Sequence, residues 1–205
     1  MVRRLIDLIV TGAGLIVLSP ILILIAIAVK IDSPGPVLFR QTRAGLNNRP
    51  FEIFKFRSMR HDDNAGPRVT AGGDKRITSV GVWLRRFKLD ELPQLLNVFA
   101  GDMSLVGPRP EVPEYVALWG DDARAEILSV KPGMTDPVTV KFRNEETILA
   151  NYADPERAYR DIVLPEKVRM YRDYVRTRSC WSDIKVIAAT AAAIVMPANK
   201  SPMKP

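Results

Sequence analysis

No charged residue occurs between Leu8 and Val29, and the run is rich in Leu, Ile, Val and Ala. About 20 apolar residues suffice to cross the hydrocarbon core of a bilayer as a helix. A chain opening this way places its N-terminus in or on a membrane. A cleaved signal peptide fits less well, because its apolar region runs to only about 7–15 residues and no small-x-small site follows here. The mean hydropathy of −0.02 hides this unevenness, since the rest of the 205 residues is markedly polar.

Two features complicate a simple crossing. Ser19-Pro20 sits near the middle of the run, where proline removes a helical hydrogen bond and predicts a kink or break. Ser19 has the hydroxyl to bond a freed carbonyl. Both flanks are also cationic: Arg3 and Arg4 before the run, Lys30, Arg40, Arg43 and Arg49 after it. Cations flanking membrane segments favour the cytoplasmic side. A kinked spanning helix and a helix that re-enters on the same face are both open on these residues.

The domain division expected is 1–30 for the membrane helix and 31–205 for a globular domain, long enough to bury a core. With 30 Lys and Arg against 23 Asp and Glu, the net charge is +7, which points to anionic partners. One Cys and one His exclude a disulfide framework, a cysteine-rich zinc site and a multi-histidine metal centre. His61 reads as a solvated residue in the polar, glycine-rich loop 61–75. The fold class expected is α+β, mainly helical. Residues 37–39 and 51–56 are predicted strands joined by a turn at Gly45-Leu46-Asn47-Asn48. Helices are expected over 76–88, from Leu89 to Phe99, and over 112–129, 155–175 and 184–196. The last is too short to span and suits packing or the bilayer surface.

Asp90 and Glu91 are adjacent carboxylates at an expected helix start. The helix dipole there favours anions and would keep Asp90 ionised, as a nucleophile must be. Two carboxylates with phosphate oxygens also suit Mg2+. Taken alone, such a pair reads first as a helix cap. Its surroundings are cationic: Arg85, Arg86 and Lys88 precede it, Lys55 and Arg57 alternate with Phe54 and Phe56 along a strand, and Arg109 is clamped between Pro108 and Pro110. Arginine forks match phosphate oxygens. No GxxxxGK[ST] or GxGxxG motif is present.

Six features follow one order: Ser19-Pro20, Lys55-Phe56-Arg57-Ser58-Met59, Leu89-Asp90-Glu91-Leu92-Pro93-Gln94-Leu95, Gly101-Asp102-Met103-Ser104, Gly107-Pro108-Arg109-Pro110 and Lys131-Pro132-Gly133-Met134-Thr135. The ordered set resembles the bacterial sugar transferases, the monotopic phosphoglycosyl transferases acting on polyprenyl phosphate. The resemblance covers nearly the whole chain. It implies a re-entrant helix broken at Ser19-Pro20 with both ends cytoplasmic, hence a location on the cytoplasmic face of the bacterial inner membrane. It implies a UDP-sugar donor, a polyprenyl-phosphate acceptor, membrane lipid as a partner and Mg2+ as cofactor. It allows a homo-oligomer and implies no nucleic-acid partner.

Carried onto this sequence, Asp90 attacks the donor's β-phosphorus and releases UMP, and the lipid phosphate then attacks the phosphosugar-aspartate. Glu91 helps hold Mg2+, Arg85 contacts phosphate, Pro108-Arg109-Pro110 holds the nucleotide, and Lys55 and Arg57 match the basic strand. One stretch departs from the commoner pattern. After Lys131-Pro132-Gly133, many relatives continue Thr-Gly-x-Ala-Gln-Val-Asn-Gly-Arg, whereas this chain reads on from Met134 to Glu146 as MTDPVTVKFRNEE, a subgroup pattern. The alternative reading from another class is a non-enzymatic, membrane-tethered basic module binding anionic lipid or polymer. It leaves the acidic pair among the cations unexplained.

Overall fold

The computed structural model describes residues 2–60, 74, 76–142 and 145–195. His61 and its loop, apart from Asp74, lie outside the described residues. The first element is a single helix, α1 (Val2–Asp32), 31 residues long and about 46 Å at 1.5 Å per residue. The break expected at Ser19-Pro20 is absent: the helix continues through both residues. Pro20 has no N–H for the carbonyl four residues back, which is Ile16. The Ser19 hydroxyl donates to that same oxygen at 2.8 Å. The serine thus substitutes for the donor the proline lacks. In apolar surroundings an unmet carbonyl costs about 1–3 kcal/mol. Ser19→Ala is therefore expected to destabilise the helix by that amount, readable as a lower Tm in detergent.

Both ends of α1 are fastened to the same globular body. After α1 come strands β1 (Leu38–Ala44) and β2 (Pro50–Phe56), antiparallel with Leu38 opposite Phe56 and Ala44 opposite Pro50. The connection is a tight turn with Asn47 and Asn48 at positive φ, where asparagine is tolerated. Helices α2 (Ser79–Arg86) and α3 (Gln94–Ala100) follow, then β3 (Ser104–Val106). At the N-terminal end of α1, Arg4 donates to the carbonyls of Val98 and Phe99 at 2.6 and 2.8 Å. Asp7 accepts from Ser104 Oγ at 2.8 Å and from the Leu105 amide at 3.1 Å. At the other end, Val29 is buried with Phe56 and Leu84, and Asp32 accepts from the Val80 amide at 3.0 Å.

The expected helix 112–129 is two short ones, α4 (Pro113–Val116) and α5 (Asp121–Ile127). Gly120 separates them in an extended conformation, and Trp119 turns into the core instead of continuing the helix. Strand β4 (Gly133–Thr135) pairs in parallel with β3, a two-stranded sheet that residue patterning did not predict because each strand is three residues long. The remaining elements are α6 (Pro137–Lys141), α7 (Glu145–Leu149), α8 (Pro155–Ala158), a π-helical turn at Tyr159–Val163, α9 (Leu164–Thr177) and α10 (Cys180–Val195). The principal core gathers α4, α5 and α9 around Trp119, Ile127, Val138, Phe142, Leu149, Val163 and Tyr171. On α10, Arg3 from α1 pairs with Asp183 at 3.0 Å.

The exposed large apolar side chains fall on α1, on α2 and α3 (Val82, Trp83, Leu96, Phe99), on Phe87 between them, and on α10 (Trp181, Ile184, Ile187), with others scattered. Arg86 lies over the rings of Trp83 and Phe87, and Lys185 over Trp181. Apolar rings beside basic head groups are the composition of membrane–water interfaces.

Candidate active site

The acidic pair sits in a kinked connection between α2 and α3. Lys88 adopts a left-handed conformation at φ 58°, ending α2's path and starting a single 3-10 turn at Leu89–Glu91. Pro93 then caps α3, whose first residue is Gln94. Both carboxylates are pulled inside: Asp90 is 7% and Glu91 9% exposed. Asn97 fixes this helix to the sheet. Its Oδ1 accepts from the Phe54 amide at 3.0 Å and its Nδ2 donates to the Glu52 carbonyl at 2.7 Å. Lys55 thereby faces the acidic turn.

The two carboxylates have opposite environments. Glu91 is gripped by the Arg109 guanidinium on both oxygens, with Nη1 to Oε2 at 3.2 Å and Nη2 on Oε1, while Lys55 Nζ reaches Oε1 at 3.0 Å. Burial would raise the Glu91 pKa, but Arg109 and Lys55 outweigh it and hold the carboxyl well below its usual range. Asp90 is different. Its Oδ1 is buried without a hydrogen-bond partner. Burial and the neighbouring Glu91 charge push its pKa up, against the pull of Lys55, Lys88 and Arg85. The α-helix start expected at Asp90 is a single 3-10 turn, so the neighbouring cations, and not a helix dipole, favour its ionised form. A single 3-10 turn supplies little dipole, and desolvation dominates. Lys55 is itself pulled down by burial, and Arg109 is raised well above its ordinary value by Glu91.

Arg109 is presented by a loop held on both sides. The Gly107 amide donates to Thr135 O at 3.1 Å and the Gly133 amide to Pro108 O at 2.9 Å. On the other side Arg43 Nη1 donates to Pro110 O at 3.1 Å, and the Ala44 amide to Glu111 O at 3.0 Å. Gly107 and Gly133 touch backbone to backbone. A Cβ on Gly133 would lie 2.0 Å from the Gly107 nitrogen. Gly133→Ala is therefore expected to push the loop off Glu91 and cut activity at least tenfold, because displacement by about 1 Å at a reacting centre is costly. Turnover per folded molecule is the measurement.

Of the residues singled out in the sequence, Asp90, Glu91, Lys55 and Arg109 converge, with Pro108 and Pro110 framing the arginine. Arg85 stands in the last turn of α2 and acts on Asp90 through its charge. Arg57 does not join them. Its Nη2 donates to Val29 O at 3.2 Å, Ser33 O at 2.6 Å and Ser33 Oγ at 3.0 Å. Val29 O is one of the last four α1 carbonyls, which lack intrahelical donors, and this guanidinium satisfies it. Arg57 ties the membrane helix to the sheet.

Sequence reasoning missed Gln94 and Asn97. Gln94 is fully buried, with both amide atoms unbonded. A signal existed: Asp90, Gln94 and Asn97 stand at i, i+4 and i+7, one polar stripe on a segment whose other residues are largely apolar.

With this geometry in place, comparison with known proteins decides the family. A family profile described as bacterial sugar transferase matches residues 1–197. The chain belongs to the bacterial sugar transferase family. Similar proteins include the undecaprenyl-phosphate glucose phosphotransferase of Komagataeibacter xylinus, 40% identical over 197 residues covering 92% of this chain and 35% of that one. The UDP-glucose:undecaprenyl-phosphate glucose-1-phosphate transferase of Caulobacter vibrioides is 36% identical over 96% of this chain and 71% of its own. The Escherichia coli protein of the same name is 37% identical over 93% and 39%. The chain thus spans little more than a third of the Komagataeibacter and Escherichia relatives. Within the family's shared region, Asp90, Glu91 and Arg109 form its one buried acid–base constellation among the described residues that also holds an unpartnered carboxylate oxygen.

Proposed function

We propose that this chain transfers a sugar 1-phosphate from a UDP-sugar to polyprenyl phosphate at the cytoplasmic face of the bacterial inner membrane, beginning a surface glycan. The observation that carries the reading is the division of labour between adjacent carboxylates. Glu91 is neutralised by two cations, while Asp90 keeps a buried oxygen with nothing bound to it. A nucleophile needs such a free oxygen; a structural acid does not.

In the first step an Asp90 oxygen attacks the β-phosphorus. The bond to the oxygen bridging the two phosphates breaks, and UMP leaves with that oxygen. In the second, an oxygen of the lipid phosphate attacks the same phosphorus and the Asp90–phosphorus bond breaks. The product is a polyprenyl diphosphate sugar, and the carboxylate is regenerated. Arg85, Lys88 and Lys55 surround Asp90 with positive charge that favours both its ionised form and an incoming diphosphate. Arg109, fixed by prolines and by Glu91, loses little freedom when an anion arrives.

Mg2+ fits the donor set. Asp90 offers a hard, unsatisfied Oδ1, and beside it the Glu91 oxygens are already shared with Arg109 and Lys55. That leaves coordination to be completed by phosphate oxygens and water, as Mg2+ prefers. When bound, the ion would neutralise diphosphate charge; Asp90 would hold it, with Glu91 contributing only through oxygens shared with Arg109 and Lys55.

We also read α1 as re-entrant, with lipid around it. Its two ends are fastened to one globular body, at Val98, Phe99 and Leu105 and again at Phe56 and Val80. A straight span would place those ends on opposite sides of about 30 Å of hydrocarbon. The apolar, ring-rich surfaces of α2, α3 and α10 extend the same membrane face.

The test is UMP release from UDP-glucose with undecaprenyl phosphate and Mg2+, followed by a panel of other UDP-sugars. No UMP from any donor, together with salt-sensitive vesicle binding, would instead support the tethered basic module.

A further inference from the structure

A second charged cluster lies buried behind the Arg109 loop, and the reaction described above does not use it. Glu111, Tyr159 and Lys167 are 6%, 2% and 5% exposed. The Tyr159 hydroxyl donates to Glu111 Oε1 at 2.8 Å. Lys167 Nζ lies 2.5 Å from Glu145 Oε2, 3.4 Å from the Tyr159 hydroxyl and 3.9 Å from Glu111 Oε1. It also sits 4.8 Å from the Tyr159 ring centre. Arg43 reaches Glu111 at 3.6 Å while donating to Pro110 O. Burying Lys167 and Glu111, with Glu145 and Arg43 half-buried beside them, is costly compared with an apolar core, so such a cluster calls for a role beyond stability.

The local backbone is built to make it. In an uninterrupted α-helix, residues eight apart point about 80° from each other around the axis. Tyr159 and Lys167 are eight apart, and the π-helical turn at Tyr159–Val163 lies between them. The extra residue of that turn brings them to within about 20°, on one face. π-turns are rare and concentrate at functional sites. Glu111 is two residues from Arg109, with rigid Pro110 between, so whatever fixes Glu111 fixes the guanidinium. Behind the loop lies a cavity of about 10 Å3, no larger than one water, lined by Pro108, Arg109, Pro110, Trp119 and Ile127, among others.

We propose that Tyr159 and Lys167 are positioning residues for the sugar-phosphate transfer, holding Glu111 so that Arg109 keeps its two-pronged grip on Glu91 beside Asp90. This rests on the transferase reading of that site. It also gives a role to Glu145, in the Met134–Glu146 stretch that departs from the common family pattern: it is the counter-charge for Lys167.

The experiment uses the full chain in detergent, with UMP release per folded molecule as the readout. Tyr159→Phe keeps the ring, and with it the 4.9 Å packing on Tyr115, and is expected to lower kcat/KM at least tenfold. Lys167→Met is expected to lose as much, and Lys167→Arg to restore most of it. The Arg109→Lys variant loses activity by itself, and adding Tyr159→Phe to it should cost less than threefold more, because both act through one guanidinium. Parental kcat/KM in Tyr159→Phe would overturn the assignment. So would a loss that multiplies fully with that of Arg109→Lys, or equal losses in Lys167→Arg and Lys167→Met. If the parent chain releases no UMP, the transferase reading falls and takes this one with it.

Discussion

Asp90→Asn is expected to reduce UMP release on the order of 10³-fold or more while leaving the protein at least as stable as the parent. The activity loss follows from the chemistry, since an amide cannot form the phosphosugar ester and removal of a covalent nucleophile typically costs orders of magnitude. The stability half follows from the surroundings. Burial and the Glu91 charge already push the Asp90 pKa up, so its ionised form destabilises the folded state. Asparagine keeps the shape and removes the charge. Retention of the parental rate would exclude Asp90 as nucleophile. A large drop in Tm would show instead that its carboxylate is a structural partner.

Glu91→Gln should behave in the opposite way. It leaves the half-buried Arg109 and Lys55 without the carboxylate they both bond, and removing one partner of a fully buried ion pair costs about 3–5 kcal/mol, an upper bound here. Much of that is repulsion between the stranded cations, so adding Lys55→Met to Glu91→Gln is expected to recover part of the lost stability. Denaturant unfolding of the two variants checks this. A Glu91→Gln protein as stable as the parent would show that the ion triad is not buried as described.

The same contrast governs acid behaviour. A folded-state pKa raised above the unfolded value, as at Asp90, makes stability fall as pH rises through the window between the two. A folded-state pKa held down, as at Glu91, contributes stability that is present above the unfolded value of about 4.3 and is lost only as pH falls towards the lowered one. Glu91→Gln should abolish the second effect and weaken the first, because the Glu91 charge is one of the two causes that push the Asp90 pKa up.

Much of this site was legible in the chain because its parts are local. Asp90-Glu91 and Pro108-Arg109-Pro110 are contiguous motifs, and the Ser19-Pro20 pair announced both a missing donor and its substitute. The hairpin of β1 and β2 followed from strand-forming residues around an asparagine turn. What failed to show were pairings across the chain. Arg57 looked like a partner of Lys55 by alternation, but the carbonyls at the end of α1 claimed it. Asn97 belongs to none of the contiguous motifs, yet it clamps α3 to β2. The Tyr159 and Lys167 contacts depend on a π-turn that no residue pattern announces.

The sequence by itself determined that this protein has a charge-free membrane segment, a basic domain and an acidic pair among cations, because hydropathy and charge are properties of residues. Only the tertiary structure decided which carboxylate is neutralised and which is left with a free oxygen. Burial and ion pairing depend on what other segments bring near. The chain places Asp90 and Glu91 side by side, but Lys55 and Arg109 arrive from β2 and from a distant loop, and both settle on Glu91.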